Sequence, residues 1–140
     1  MPLITPREAE ALMLSNTDLL GIKSISLGNA LGRILREDLF ADRPFPPFDR
    51  VTMDGVAFRF SDFNDTPLTL QGTHAAGHPT PQNLKPGHCW QIMTGSVLPP
   101  DCDTIVPYEE VTITGEEAQI ECHPVAGKFI HREGSDASPG

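Results

Sequence analysis

Three prolines that lie close together, Pro44, Pro46 and Pro47, place the strongest constraint on what this chain can fold into. Each proline fixes its own φ angle, lacks an amide donor and disfavours helix at the residue before it, so no helix can continue through this stretch. The 140 residues include 14 prolines and 12 glycines, a content that favours turns and short strands over long helices. The sequence therefore predicts a β-rich fold with an extended connection and a domain boundary at these prolines.

The charge balance and the cysteines exclude several classes of function. Ten basic residues stand against 19 acidic ones, and the net charge of −9 repels nucleic-acid backbones and anionic membranes, so we expect neither as a partner. No apolar stretch approaches the roughly 20 residues of a membrane-spanning helix. Cys89, Cys102 and Cys122 are odd in number and far apart, which predicts reduced packing thiols rather than disulfides or zinc ligands. We expect a cytoplasmic protein.

The N-terminal segment carries the signals of a helix start. Thr5 can cap a helix, Pro6 suits its first position, and Glu8 places an acid in the first turn, so a helix is predicted from Pro6 to about Ser15. A compact α/β opening is expected to follow. Its predicted elements are a strand over Ile22–Ile25, a short helix capped by Ser26 and continuing through Leu31, and an extended Ile34–Phe40.

After the prolines, short runs rich in β-branched and aromatic residues predict a series of strands. The last two form a predicted hairpin that turns at Thr114–Glu117. Several strands this close together favour a small barrel or sandwich. The predicted strands are Val56–Phe60, Leu68–Thr73, Cys89–Met93, Thr104–Val106, Val111–Ile113 and Gln119–Glu121.

Two turn-forming runs, PPFDRVTMDG and IMTGSVLP, are the candidate site. In the first, Asp54 precedes Gly55; in the second, Thr94 precedes Gly95 and Ser96. Glycine allows a backbone to approach a ligand closely, and the backbone amides of the second run could face an oxyanion. Residue chemistry alone leaves a purely structural role open for both residues. Asp54 can cap a turn before Gly55, and the Thr94 hydroxyl can be hydrogen-bonded within a strand-ending turn.

Other polar residues carry weaker signals. His74 and His78 have the spacing of a helical metal pair, but Gly77 and Pro79 disfavour that helix, so a loop pair is expected and no zinc is assigned. Paired acid and base catalysis by Glu109 and Glu110 is disfavoured if they are neighbours on a strand, because their side chains would point to opposite faces. Phosphate-binding loops of the GxxxxGK[ST] or GxGxxG type are missing from the sequence.

Four motifs together resemble the molybdopterin molybdotransferase family, which includes MoeA and the gephyrin E domain. PPFDRVTMDGVAFR is similar to the family's PPFDNSAMDGYAVR, and IMTGSVLPPDCDTIVPYEE to its IMTGAPLPEGADAVVPVE. SLGNALGRILREDLFA resembles LAEALGRVLAEDV, and HREGSDASPG resembles RRRGEDIKAG. The motifs occur in the family's order and cover nearly the whole chain.

The resemblance implies a mixed α+β fold, in which a small elongated α/β domain carries an inserted β-barrel-like domain. Domain I would comprise residues 1–45 plus 124–140, and domain II residues 46–123. The family inserts molybdate into adenylylated molybdopterin with the help of magnesium, as a step of molybdenum cofactor biosynthesis. The active cleft is shared between two subunits, so a homodimer is expected. Most pterin contacts come from a further domain that is absent here, so this chain would supply a wall of the cleft and be inactive alone.

The resemblance also assigns residues one at a time. Asp54 matches the aspartate of MDG, and we expect it to be a functional carboxylate and a possible magnesium ligand. Thr94 matches the threonine of MTG, and the resemblance implies a catalytic role for Thr94 and Asp136 together with Asp54. Gly55, Gly95 and Ser96 are the expected substrate-binding positions. Asp136 matches the aspartate of GED. The chain departs from the family at Arg50, Glu133 and Ser135, of which Arg50 adds a cation or is simply a solvated surface residue.

Two other interpretations remain open. The segment from Phe129 to Gly140 ends on small residues with no closing element, which favours a piece of a longer enzyme. A short stand-alone relative would instead be a non-catalytic module that dimerises or docks onto other molybdenum cofactor synthesis proteins. A scaffold that binds a receptor peptide, as gephyrin does, is a third possibility without a signal of its own.

Overall fold

The computed structural model describes residues 3–140. They fall into two compact units, of which the first ends at Leu39 and the second spans Phe40–Gly140. The expected domain division, 1–45 plus 124–140 against 46–123, is not tested by this grouping and stays a prediction. Within residues 3–140, no helix combines the length and the apolar character that crossing a membrane requires.

The first unit contains one α-helix, α1, at Pro6–Ser15, so the predicted helix is confirmed. Thr5 and Glu8 form a reciprocal capping box: the Thr5 hydroxyl accepts from the Glu8 amide at 3.3 Å, and the Glu8 carboxylate accepts from the Thr5 amide at 2.7 Å. These bonds satisfy amide groups that the first helical turn leaves without partners. None of the residues of α1 is buried.

Two other predictions for the first unit need correction. The predicted strand at Ile22–Ile25 is wrong, because residues 3–39 contain no second strand to which it could hydrogen-bond. The predicted helix after Ser26 is shorter than expected and forms a single 3₁₀ turn at Leu27–Asn29. Ile34–Phe40 lies outside any helix, as expected of an extended segment.

The second unit is built from eight strands. Six of them form one sheet in the order β5-β2-β4-β3-β7-β6, and β1 and β8 pair as a separate two-stranded ribbon. β3 and β4 are parallel, and the other pairs are antiparallel. The strands are β1 Arg50–Val51, β2 Gly55–Phe58, β3 Leu68–His74, β4 His88–Ile92, β5 Thr104–Pro107, β6 Val111–Thr114, β7 Glu117–Ile120 and β8 Ile130–His131.

The predicted strands are confirmed with small shifts at their ends. The predicted hairpin is β6–β7, with Gly115 at φ +62° in its turn, a conformation that glycine adopts without strain. The six-stranded sheet curls into a half-barrel whose edge strands, β5 and β6, stay apart in the described structure. A mixed α and β fold with a barrel-like sheet is therefore confirmed.

The core covers both faces of this sheet. All four residues of β2 are buried, and successive side chains point to opposite faces, so Val56 and Phe58 join one cluster while Ala57 joins another. Burying a side chain as large as Phe58 contributes roughly 1.5–3 kcal/mol. The first cluster also contains Leu68, Cys89, Val106, Ala118 and Ile120, and the second contains Val51, Leu84, Ile92, Cys102 and Ile105.

The three cysteines are free thiols. Cys89 and Cys102 are buried among apolar side chains, as predicted for packing residues, and burial raises the pKa of each thiol to about 12. Cys122 is half-buried, and its pKa is raised to about 11, first by burial and then by Glu110 nearby.

The C-terminal tail folds back on the segment that follows the first unit. Arg50 pairs with His131 and Val51 with Ile130 in the β1–β8 ribbon. Further along the tail, isolated bridges join Phe45 to Ala137 and Ala41 to Pro139. These pairings fix the position of the tail relative to β1 and the residues on either side of it.

Candidate functional site

Asp54 and Thr94 meet although they lie 40 residues apart in the sequence. Gly55, the first residue of β2, is registered opposite Ile92, the last residue of the antiparallel β4, so the start of one strand lies beside the end of the other. Oδ1 of Asp54 accepts a hydrogen bond from the Thr94 amide at 2.6 Å and another from the Thr94 hydroxyl at 2.7 Å. The sheet register thus brings together the two residues that the motifs singled out.

These hydrogen bonds favour the ionised form of Asp54. The Thr94 hydroxyl, and then the Thr94 amide, lower the pKa of the Asp54 carboxyl from its usual value, because both stabilise the ionised form. Both residues are exposed, and the two bonds engage only Oδ1. Asp54 therefore presents an ionised carboxylate to solvent with one oxygen fixed in place.

Gly55 has a packing reason to be glycine. A Cβ at this position would lie 2.0 Å from the carbonyl oxygen of Val106 on the adjacent β5. Real Cβ atoms do not approach this closely, so any larger residue would push β2 and β5 apart. The close approach of β2 and β5 at Gly55 lies directly beside Asp54, which precedes the first residue of β2; the substrate-binding role of Gly55 stays a prediction.

Thr94 stands in a tight turn between Met93 and Val97. Gly95 adopts φ +86°, and its amide donates to the carbonyl of Val51 at 2.9 Å. Ser96 is buried, and its hydroxyl donates to the carbonyl of Met93 at 2.6 Å. The turn therefore uses the Ser96 hydroxyl internally and presents Thr94 at the surface, while the predicted substrate contacts of Gly95 and Ser96 stay predictions.

His74 anchors this turn, a role that the sequence analysis missed. It is the last residue of β3 and is only 2% exposed. Its Nε2 lies 3.0 Å from the carbonyl oxygen of Val97, and its own carbonyl accepts from the Met93 amide at 3.1 Å. The signal in the sequence was its place at the end of a predicted strand, where a histidine that becomes buried needs a hydrogen-bond partner.

Asp136 belongs to a different group of side chains. Its Oδ1 lies 2.7 Å from Nε2 of His131, and Nδ1 of the same ring lies 2.9 Å from the guanidinium of Arg50. Asp49 accepts from the Arg132 side chain and from the Glu133 amide, which together lower the pKa of the Asp49 carboxyl, the amide most strongly. Within residues 3–140, no hydrogen bond joins Asp136 to Asp54 or Thr94.

The remaining polar candidates do not build a catalytic group. Glu109 and Glu110 lie in a 3₁₀ turn at Tyr108–Glu110, so their expected placement on a strand is wrong; the turn arises where β5 ends at Pro107. The expected loop pair of histidines is wrong for His74, which is the buried last residue of β3; His78 lies exposed in the turn that follows, as predicted. Across residues 3–140, no three His, Cys, Asp or Glu side chains gather in a way that could hold a metal ion.

Comparison with known proteins matches the chain repeatedly to MoeA-type proteins. Residues 4–140 match the sequence model of the MoeA N-terminal region (domain I and II). The molybdopterin molybdenumtransferase of Synechocystis sp. is 40% identical over 128 residues, which cover 86% of this chain and 32% of that protein. Gephyrin of Dictyostelium discoideum is 31% identical over 138 residues, which cover 85% of this chain and 19% of gephyrin.

A solved structure agrees with the fold. The molybdopterin biosynthesis MoeA protein from Pyrococcus horikoshii OT3 superposes with a TM-score of 0.77 at 27% identity, over 99% of this chain and 38% of that protein. The chain thus spans about a third of the length of the MoeA relatives it matches. By sequence and by fold, the chain belongs to the family of the MoeA N-terminal region.

Proposed function

We propose that this chain is the N-terminal part of an enzyme that inserts molybdate into adenylylated molybdopterin, a step of molybdenum cofactor biosynthesis. In this proposal it contributes Asp54, Thr94 and Asp136 to a cleft shared between subunits, with Gly55, Gly95 and Ser96 shaping the backbone around the substrate. The observation that carries the proposal is the pair of hydrogen bonds that fixes the ionised, exposed carboxylate of Asp54 at the start of β2. Relatives named molybdopterin molybdenumtransferase support the reaction class.

Asp54 is suited to act with a cation. Molybdate and adenylylated molybdopterin are anionic, and a bare carboxylate beside them would repel them. Mg²⁺ is commonly bound by one or two carboxylates together with substrate phosphates and water, and Asp54 offers an ionised, exposed carboxylate for this purpose. When bound, the metal would neutralise negative charge on the substrates. Asp54 would be its ligand from this chain, and its other ligands would come from the substrate, water or another domain.

Thr94 and the turn around it orient this carboxylate. The Thr94 hydroxyl and amide hold Oδ1, so Oδ2 keeps a defined direction without a search through side-chain rotamers. The Gly95 amide and the Ser96 hydroxyl tie the turn to Val51 and Met93. This is a preorganised edge of a site and not a complete pocket, which supports inactivity of the chain by itself.

The first unit supports the proposed partners. Large apolar side chains are exposed along it, a pattern typical of surfaces that other protein covers. We therefore propose that a second copy of the chain, and a pterin-binding domain of the same or another chain, pack against this region. The most exposed of these residues include Leu19, Leu20, Leu27, Leu31, Ile34 and Leu39.

The same surface supports an alternative function. A non-catalytic module that dimerises or docks onto other molybdenum cofactor synthesis proteins would need this apolar face but would not need the carboxylate of Asp54. Either protein would act in the cytoplasm, as expected from widely spaced, unpaired cysteines. The two functions are therefore separated by substitution at Asp54.

The test is molybdenum insertion into adenylylated molybdopterin with Mg²⁺, by this chain alone and mixed with a protein that carries the missing domains. We expect turnover only in the mixture, and its loss in Asp54→Asn, which removes the charge but keeps the shape. Asp65→Asn is the matched control, because Asp65 is exposed and its φ of +62° suits asparagine. Turnover in the mixture that is unchanged by Asp54→Asn would favour the docking module.

A further inference from the structure

Three side chains form a continuous hydrogen-bonded row across the β1–β8 ribbon. The register places Arg50 directly opposite His131. Nη2 of Arg50 lies 2.9 Å from Nδ1 of His131, and Nε2 of the same ring lies 2.7 Å from Oδ1 of Asp136. The imidazole thus stands between the cation and the carboxylate, and each ring nitrogen has one partner.

The chemistry of the partners fixes the proton on the ring. A guanidinium carries only N–H donors, so Nδ1 of His131 has to accept the hydrogen bond from Arg50. Nε2 then carries the hydrogen of the neutral ring and donates it to Asp136. A second proton on Nδ1 would set two donors against each other at 2.9 Å. The geometry therefore selects one tautomer of a neutral imidazole.

Arg50 differs from the other arginines of Phe40–Gly140. Arg43, Arg59 and Arg132 each form an ion pair with a carboxylate. Arg50 forms none within that unit, and its hydrogen bond goes to an imidazole. Arginine commonly binds a carboxylate directly, often with two bonds. Here the histidine intervenes, so the hydrogen bond from Arg50 orients the group that holds Asp136.

The backbone around Asp136 is fixed as well. Its amide donates to the carbonyl of Phe45 at 2.8 Å, and the neighbouring Arg132 is occupied by Asp49. The side-chain contact that orients Asp136 is therefore the one with His131, which engages Oδ1. The exposed fraction of the Asp136 side chain is 43%, so the carboxylate stays open to a ligand.

We propose that His131 is a positioning residue: held by Arg50 as the neutral Nε2–H tautomer, it orients the exposed carboxylate of Asp136. The importance of this orientation for turnover rests on the proposed function. The row itself is a property of this chain and can be measured without any substrate. Two departures from the family motifs create the row. Where those motifs have asparagine and arginine, this chain has Arg50 and His131.

The first measurement is NMR of the ¹⁵N-labelled chain near neutral pH. Two-bond correlations within the imidazole ring distinguish the Nε2–H tautomer, the Nδ1–H tautomer and the imidazolium. The chain has five histidines, and the signals of His131 are those missing from the spectrum of His131→Gln. We expect the Nε2–H pattern for His131. An Nδ1–H pattern or an imidazolium in the unmodified chain would overturn the proposal. His131→Gln serves only to assign the signals, so this test does not depend on the folding of any other variant.

The second measurement removes the donor. In Arg50→Leu we expect His131 to lose the single-tautomer pattern, whereas in Arg50→Gln the side-chain amide can still donate to Nδ1 and should preserve part of it. Arg43→Leu removes the same charge from an exposed arginine of the same unit and should leave His131 unchanged. An unchanged His131 pattern in a folded Arg50→Leu would contradict the role of Arg50.

Turnover of the reconstituted enzyme separates this proposal from the proposed function. Because a misplacement of about 1 Å in a positioned group can cost on the order of 100-fold in rate, we expect a decrease of at least about 10-fold in kcat/KM for Arg50→Leu and partial rescue by Arg50→Gln. If the expected tautomer is observed but no mixture turns over, the orientation of His131 stands and the proposed reaction fails. If the mixture turns over normally with Arg50→Leu, turnover does not depend on the orientation of Asp136 by His131, and the positioning role is wrong.

Discussion

Thr94 donates two hydrogen bonds, from its amide at 2.6 Å and its hydroxyl at 2.7 Å, to the same oxygen of Asp54. The residues come from the ends of two antiparallel neighbours, β4 and β2, so the relationship depends on the register of the sheet. Because both donors engage Oδ1, the second oxygen is left for a ligand. Thr94 thereby fixes the direction of the carboxylate and favours its ionised form.

Replacing the hydroxyl should shift the titration of Asp54. In Thr94→Val the amide bond stays but the larger cause of the lowered pKa is lost, so the pKa of Asp54 should rise toward its usual value, and Thr94→Ser should retain the lowered pKa. A carboxyl ¹³C titration by NMR measures both. Equal pKa values in the Val variant and the unmodified chain would contradict the role of the hydroxyl.

The same shift gives a pH dependence of stability. A carboxyl whose folded-state pKa is lowered stabilises the fold at pH values above its unfolded pKa, and this contribution is lost as pH falls through the folded pKa. We therefore expect Asp54→Asn to show a smaller acid loss of stability than the unmodified chain. Urea unfolding as a function of pH measures the difference, with Asp65→Asn as the control; parallel curves for all three proteins would refute it.

Gly55→Ala should destabilise the sheet. The added Cβ would meet the Val106 carbonyl oxygen at 2.0 Å, and forcing extra volume into a packed site typically costs about 1–3 kcal/mol. Urea unfolding followed by circular dichroism should show a lower midpoint. Gly21→Ala is the control, because a Cβ at Gly21 meets nothing within 4 Å. A midpoint unchanged by Gly55→Ala would mean that β2 and β5 can separate without cost.

His74→Leu should loosen the turn that carries Thr94. The carbonyl of Val97 would lose the partner it has in Nε2, and an unsatisfied buried polar group costs roughly 1–3 kcal/mol. Amide hydrogen exchange at Thr94 should become faster, because the turn that aligns this amide with Asp54 has lost an anchor. The exposed His78→Leu is the matched control. Slow exchange at Thr94 in His74→Leu would show that Gly95 and Ser96 hold the turn without it.

The three thiols should differ in reactivity. Cys89 and Cys102 are buried and have pKa values near 12, so they stay protonated and inaccessible at pH 8. Cys122 is half-buried, with its pKa raised to about 11, and should be alkylated first in the folded protein. Peptide mass spectrometry after brief iodoacetamide treatment identifies the site. Equal labelling of all three cysteines without denaturant would contradict the buried core.

Much of the local structure followed from sequence patterns. Thr5, Pro6 and Glu8 predicted the start of α1, because a capping box is a local arrangement of neighbouring residues. Strand positions in the second unit followed from short β-branched and aromatic runs bounded by turn residues. The motifs around Asp54 and Thr94 predicted that these two residues matter. By contrast, Ile22–Ile25 was predicted as a strand and is not one, since a strand also needs a partner that its own sequence does not specify.

Tertiary structure decided which of these residues meet. The sequence by itself determined local conformation and the chemical identity of the candidate groups, because both depend on residues that are close along the chain. The contact of Asp54 with Thr94, the anchoring of the turn by His74 and the row from Arg50 through His131 to Asp136 depend on strand register. Register is set by the burial of whole strand faces, and only the folded sheet could bring these groups within hydrogen-bond distance.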